Sequence, residues 1–188
     1  MLGGNFPNMS FQSFYISKEE SNCPCIIDIV RIGKKLKESK ILEEGSAIIS
    51  IGYGKRMLIN SSVQDYSEIK REELLEVADY NPIKNNLLLI GPGEPCLETP
   101  IHWMVINARK EVNAMIQINN IGLIEKIGKN IPVTEKEYLP GTFEQIKDVL
   151  RLLRDSKIVI VKNRGIIFVG NTIKDVEKLV FEKIKGIQ

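Results

Sequence analysis

The strands that this sequence predicts come largely in hairpins, and this constrains the fold more than any other feature. One pair of apolar runs, at residues 47–51 and 56–60, flanks a glycine-rich turn, and a second pair, at 157–161 and 165–169, flanks residues 162–164. Short turns join neighbouring antiparallel strands, whereas parallel strands need long crossovers. The sequence therefore favours a mixed, largely antiparallel sheet over a doubly wound parallel one.

Amphipathic helices are predicted around these strands. Apolar residues recur at helical spacing in four segments, residues 26–42, 98–109, 142–153 and 172–184. Two of these helices open with a threonine followed three residues later by a glutamine or an aspartate, which is typical of a capped N-terminus. Further strands at 74–77 and 112–118 complete an α/β chain in which helices cover the sheet.

The composition is that of one ordinary folded domain. The chain has 188 residues, of which 43% are apolar and 27% charged, so it can bury a sizeable core. A net charge of +2 gives no strong basic field, which argues against a nucleic-acid partner. We expect residues 1–22 to form an extended or partly ordered N-terminal arm and residues 23–188 to form a single domain.

Cysteine usage and the lack of long apolar runs indicate a cytoplasmic protein. The cysteines Cys23, Cys25 and Cys96 are odd in number, and the first two lie too close together for an ordinary disulfide framework. No stretch approaches the roughly 18 apolar residues of a membrane span, and the N-terminus lacks a signal-peptide pattern. The single histidine, His102, excludes a zinc site built from two or three imidazoles of one subunit.

Three local patterns occur in an order that resembles a known family. Residues 140–142 read Pro-Gly-Thr, and after a helix residues 158–170 form a hairpin with an Asn-Arg-Gly turn. Residues 95–102 contain a Glu-x-x-x-His sequence, and a strand at 112–119 follows. In this order residues 26–187 resemble the class II aldolase/adducin family. The resemblance implies an αβα three-layer sandwich around a central mixed, largely antiparallel sheet.

In that family three histidines hold a catalytic zinc ion, which polarises a carbonyl during carbon–carbon cleavage. The resemblance places the His-x-His pair of the family on Gln117 and Asn119, and the third histidine on Arg164. Neutral amides are poor zinc ligands, and a guanidinium has no lone pair to give. We therefore predict that the zinc site is absent and that the chain uses no cofactor.

The phosphate-binding segments of the family are also altered. Residues 47–50 replace Gly-Asn-x-Ser, residues 60–63 replace Thr-x-Thr/Ser-Gly, and residues 96–97 replace Ser-Ser. Loss of glycine restricts the turns that aim backbone amides at an anion, and loss of serine removes a donor. The residues that remain as candidates for substrate or anion binding are Ser50, Ser61, Ser62, Gln117, Asn119 and Arg164.

Glu98 takes the acid/base position of the family and is the candidate catalytic base. The alternative is that its charge simply stabilises the N-terminus of a helix. His102 lies one turn further on the same helix face, and we expect it to be a structural partner of Glu98 rather than a metal ligand. Arg164 is expected to bind an anionic ligand or to pair with Glu98 in the space of the zinc, the alternative being an exposed turn arginine.

The leading functional hypothesis is a class II aldolase-like pseudoenzyme with a small-molecule-binding, structural or regulatory role. The alternative is a remodelled lyase or isomerase, an aldehyde-lyase-like enzyme independent of zinc that acts on a small sugar or sugar-phosphate-like substrate. Glu98 would then be the base and Arg164 the charge stabiliser. The resemblance also implies a homo-oligomer, such as a tetramer. We expect the partners to be further copies of the chain and a small anionic metabolite, and neither a membrane nor a nucleic acid.

Overall fold

Eight strands and five α-helices make up the part of the chain that the structure, a computed structural model, describes, which is residues 11–43, 45–127 and 130–185. None of the helices in these ranges is long and apolar enough to cross a bilayer. In chain order the elements are β1 (Gln12–Ser17), α1 (Ile26–Glu38), β2 (Ser46–Tyr53), β3 (Arg56–Asn60), β4 (Leu74–Asn81), β5 (Asn86–Ile90), α2 (Thr99–Ala108), β6 (Ala114–Asn119), α3 (Ile121–Lys126), α4 (Phe143–Leu152), β7 (Ile158–Val161), β8 (Gly165–Gly170) and α5 (Ile173–Lys185).

The described strands form one sheet in the order β1-β5-β4-β3-β2-β6-β8-β7. Every neighbouring pair is antiparallel except β1 and β5, which run parallel. The two predicted hairpins are β2/β3 and β7/β8. Their turns contain Gly54 and Asn163 with φ of 59° and 55°, the left-handed conformation that tight hairpins require. The prediction of a mixed, largely antiparallel sheet is confirmed.

Helices cover both faces of this sheet. On one face α1, α3 and α5 pack over a core that includes Ile49, Ile116 and Phe168. On the other face α2 and α4 pack over a core that includes Met115 and Ile167. Because successive side chains of a strand point to opposite faces, neighbouring residues of β6 and β8 belong to different layers. The expected αβα three-layer sandwich is confirmed.

Three elements, β1, β5 and α3, were not assigned from the sequence. β1 lies inside residues 1–22, the segment predicted as an N-terminal arm, and it pairs with β5 at the edge of the sheet, whereas residues 1–10 of that segment lie outside the described residues. Phe11, just before it, is buried in the core. Exposed and half-buried residues alternate along β1, so no continuous apolar run marks it as a strand. The six residues of α3 are too few to show a helical period.

The loop of residues 91–97 connects β5 to α2 and is held by β1. The Tyr15 hydroxyl donates a hydrogen bond to the Gly93 carbonyl oxygen at 2.9 Å, and the Gly91 N–H donates to the Ser17 carbonyl oxygen at 3.0 Å. Gly91 has a φ of 132°, a conformation open to glycine and strained for other residues. These contacts fix the path of the loop and hence the start of α2.

Candidate functional site

A pocket of about 740 Å³ lies where the start of β2, the end of β6 and the β7–β8 turn meet the loop before α2. Five of the residues predicted for substrate binding or catalysis line it, namely Ser61, Ser62, Glu98, Asn119 and Arg164. They come from four separate segments of the chain, so the tertiary fold brings them together. This pocket is the candidate functional site.

An ion pair between Glu98 and Arg164 lines the pocket. Glu98 occupies the N-terminal cap position of α2 and is 3% exposed. Its Oε1 accepts a hydrogen bond from Nε of Arg164 at 2.7 Å and a second from Nη2 of the same guanidinium. Hydrogen bonds between two charged groups are about twice as strong as those between neutral ones. Arg164 is therefore paired with Glu98, and it is not an unpaired arginine in an exposed turn.

Close backbone contact holds the Arg164 turn beside β6. A Cβ atom at Gly165 would lie 2.4 Å from the Ile118 carbonyl oxygen and 2.5 Å from Oδ1 of Asn119. Those distances are too short for any side chain, so glycine is required at this position. β8 can therefore approach the end of β6 closely, and the turn that precedes β8 brings Arg164 to the pocket.

The two β6 positions that the resemblance assigns to zinc ligands carry amides that bond to each other. Nε2 of Gln117 donates to Oδ1 of Asn119 at 2.8 Å, and Gln117 is 1% exposed. The third position, Arg164, offers only donors and a positive charge. Within the ranges that the structure describes, no cluster of three His, Cys, Asp or Glu side chains is suited to a metal. The zinc ion that the resemblance implies does not fit this set of side chains.

His102 does not pair with the Glu98 carboxylate, contrary to the prediction. Its imidazole is fully buried, and Nδ1 lies 2.7 Å from Oγ of Ser50, which is also fully buried. The Glu98 side chain bonds instead to Arg164, and the hydrogen bond between His102 and Glu98 is the helical one, from the His102 N–H to the Glu98 carbonyl oxygen. Ser50 and His102 therefore lie in the core under α2, and the binding role predicted for Ser50 does not match its burial.

His102 is a neutral part of a buried polar layer. Burial lowers its pKa to about 3, although the nearby Gln117 side chain acts in the opposite direction. Nε2 of His102 and Oε1 of Gln117 are both enclosed, and neither has a hydrogen bond of good geometry. The ring therefore carries no charge at neutral pH, and it lies in the core beneath α2, outside the lining of the pocket.

The loop after β3 offers few donors to an anion. Oγ of Ser61 donates to the Glu73 carbonyl oxygen at 3.0 Å, and the Ser61 N–H donates to the same oxygen at 2.7 Å. The Asn60 side chain is also in use, since its Oδ1 accepts from the Ile49 N–H at 2.6 Å. Ser62 is the exposed hydroxyl of this loop.

Four polar residues of the pocket were not among the predicted site residues, namely Ser46, Tyr66, Glu94 and Cys96. The Tyr66 hydroxyl donates to the Ala47 carbonyl oxygen at 2.7 Å and accepts from the Ala47 N–H at 2.8 Å. Burial raises the pKa of Tyr66 and that of Cys96 to about 12, so both are neutral. No spacing signal marks Ser46 or Tyr66, whereas Glu94 and Cys96 lie in a Gly/Pro-rich loop of the kind that often carries sites.

Comparison with known proteins identifies relatives of this chain. Residues 27–119 match the sequence profile described as Class II Aldolase and Adducin N-terminal domain. An L-fuculose phosphate aldolase from Methanocaldococcus jannaschii is 22% identical over 162 residues, which cover 78% of this chain and 84% of the relative.

Solved structures share the fold. An L-fuculose 1-phosphate aldolase matches with a TM-score of 0.72 and 18% identity, over 88% of this chain and 84% of that one. A putative aldolase/epimerase/decarboxylase from Escherichia coli matches with a TM-score of 0.67 and 12% identity, over 85% and 86% of the two chains. At such identities these matches show the fold, and they agree with the three-layer architecture described above.

Proposed function

Because the chain belongs to the class II aldolase and adducin family, we propose that it is a non-catalytic member, a pseudoenzyme that binds a small molecule in a structural or regulatory role. The observation that carries this proposal is the ion pair of Arg164 with Glu98. It stands where the resemblance places a zinc ligand beside the acid/base residue. The open pocket next to the pair supports ligand binding over a purely structural role.

The ion pair also limits what Glu98 can do as a base. A general base needs a free oxygen within hydrogen-bonding distance of the proton that it removes. Oε1 of Glu98 already accepts two N–H groups of Arg164, so only Oε2 is left to take a proton from a substrate. The positive charge of Arg164 is in turn balanced by Glu98, so it is not free to stabilise an enediolate.

Zinc content and aldol cleavage test the proposal directly. The purified full chain is incubated with zinc, dialysed and analysed for bound metal, and is assayed for cleavage of sugar phosphates that include L-fuculose 1-phosphate. We expect far less than one zinc per chain and cleavage at the background rate. One tightly held zinc per chain, or cleavage that depends on added metal, would overturn the proposal.

A matched pair of triple variants tests whether the three ligand positions are assigned correctly. Gln117→His, Asn119→His and Arg164→His together should create a site that binds about one zinc per chain, because three imidazoles and a water complete a tetrahedral set. The control carries alanine at the same three positions and should bind none. If the histidine variant is folded by circular dichroism yet binds no zinc, the assignment of the three ligand positions is wrong.

The remodelled lyase or isomerase is the second candidate, and the position of Glu98 on the pocket wall favours it. In that case Glu98 would act as base and Arg164 as charge stabiliser on a small sugar or sugar-phosphate-like substrate. Turnover that persists in a chelator and is lost in Glu98→Gln would establish this function in place of the first.

We further propose that the chain forms a cytoplasmic homo-oligomer, a tetramer. Large apolar side chains support it, since Phe14, Ile16, Leu139 and Phe143 are 51%, 56%, 77% and 61% exposed. Light scattering after gel filtration measures the mass in solution. A monomer at micromolar concentration would contradict this proposal.

A further inference from the structure

The charged side chains that line the pocket are more negative than positive. They are Glu94, Glu98 and Arg164, and no lysine or second arginine is among the described residues of the lining. Because Arg164 is bonded to Glu98, its charge is already balanced. The exposed carboxylate of Glu94 remains, so the pocket carries an excess of one negative charge.

The negative charges of Glu94 and Glu98 raise the pKa values of neighbouring side chains. Burial raises the pKa of Tyr15, and the charge of Glu94 raises it further. In the same way the pKa of Cys96 is raised first by burial and then by the charge of Glu98. Each carboxylate therefore raises the pKa of one neighbouring group, Glu94 that of Tyr15 and Glu98 that of Cys96.

The rest of the lining offers acceptors and apolar surface, together with the exposed hydroxyls of Ser46 and Ser62, which can donate or accept. The two Arg164 N–H groups that bond to Glu98 both donate to Oε1, which leaves Oε2 to accept from a ligand. The Tyr66 hydroxyl is fully engaged with the backbone of Ala47. Val63 and Leu97 add apolar surface to the lining.

We propose that the pocket binds a small organic amine, whose ammonium group donates to the carboxylates of Glu94 and Glu98 and whose apolar body lies against Val63 and Leu97. An ammonium has three donors and no acceptor, so it complements these oxygens. The charge of this ligand is opposite to that of the anionic metabolite expected from the sequence, because Arg164 is neutralised. The inference rests on the proposed function, since zinc in the pocket would reverse the local charge.

A series of probes matched in shape tests the sign of the charge. Phenethylamine, phenethyl alcohol, 3-phenylpropionate and inorganic phosphate are each titrated into the purified full chain by calorimetry. We expect the amine to bind about tenfold more tightly than the alcohol, which corresponds to ~1.4 kcal/mol. The two anions should bind more weakly than the alcohol, and the affinity for the amine should fall as salt is added. An anion that binds as tightly as the amine, or a series in which no probe binds, would overturn the inference.

Glu94→Gln removes the unbalanced charge without changing the size of the side chain. It should weaken amine binding several-fold and leave binding of the alcohol unchanged. Glu144→Gln, at an exposed position outside this pocket, is the control and should bind the amine as the wild type does. Equal affinity for the amine in wild type and Glu94→Gln would contradict the inference.

Zinc content and aldol cleavage measured on the same preparations separate the two proposals. A protein free of zinc and without cleavage that prefers anions refutes the amine inference alone. A protein that retains zinc or cleaves sugar phosphates refutes the proposed function.

Discussion

Replacing Arg164 with alanine removes the guanidinium that pairs with the Glu98 carboxylate. Glu98 is 3% exposed, and removing one partner of a buried ion pair costs about 3–5 kcal/mol. The Arg164 side chain is 34% exposed, however, so water from the pocket reaches the vacated space and reduces this cost. We expect the free energy of unfolding to fall by about 2 kcal/mol. In a chain of 188 residues this lowers Tm by about 4–8 °C.

Urea unfolding followed by circular dichroism measures this loss, and two further variants calibrate it. Lys178→Ala removes a cation from an exposed pair, whose side chains are 75% and 61% exposed, and should cost less than about 0.5 kcal/mol. Glu98→Gln removes the charge that needs a partner. The double variant of Arg164→Ala and Glu98→Gln should therefore be more stable than the sum of the two single effects predicts, by about 1–2 kcal/mol.

Two results would refute this reasoning. One is an Arg164→Ala variant within about 0.5 kcal/mol of the wild type, the range usual for surface substitutions. The other is a pair of effects that simply add, because additivity would show that the charges of Glu98 and Arg164 do not interact. Either result would mean that water in the pocket solvates Glu98 well enough without the guanidinium.

Three further predictions concern the surroundings of the pocket. His102 has a pKa of about 3 when folded against an ordinary 6.5, so the unfolded chain takes up the proton first. Stability should therefore fall as pH drops below about 6.5, by at most ~1.4 kcal/mol per pH unit from this group, and His102→Gln should flatten the profile of unfolding free energy against pH. Gly165→Ala should lower the unfolding free energy by about 2 kcal/mol or more, because its Cβ meets the Ile118 carbonyl oxygen; an unchanged urea midpoint would contradict this. Tyr15→Phe should lower the unfolding free energy by about 1 kcal/mol and speed hydrogen exchange in residues 91–97, because the hydrogen bond to the Gly93 carbonyl oxygen is lost. Unaltered exchange in this loop would show that the Tyr15 hydroxyl does not hold it in place.

Local signals predicted much of the fold because hairpins and amphipathic helices depend on residues close in sequence. The turn residues Gly54 and Asn163 adopt the left-handed conformation, and both hairpins form as expected. β1 was harder to recognise because its pairing with β5 joins segments more than sixty residues apart. Exposed and half-buried residues alternate along β1, and without knowledge of its partner strand this pattern cannot be told from that of an unpaired extended segment.

The site was predicted in part, and its errors have a physical cause. Spacing shows which residues share a helix face, and on that ground His102 was assigned to Glu98. Spacing does not show which neighbour a side chain contacts, and the partner of His102 is Ser50, 52 positions away. Arg164 lies 66 positions from Glu98, so only the family resemblance could place the two together before the structure did.

The changes at the three ligand positions are linked by charge. A carboxylate as enclosed as Glu98 needs a positive charge nearby, and in the family a zinc ion lies at this site. Amides at Gln117 and Asn119 alone would remove the metal and leave Glu98 without a counter-charge. Arg164 supplies a fixed positive charge from the third position, through bonds to Oε1. In the function proposed above, the same substitution thus takes the place of a ligand and keeps the buried acid paired, so the pocket would keep its charge balance without a metal ion.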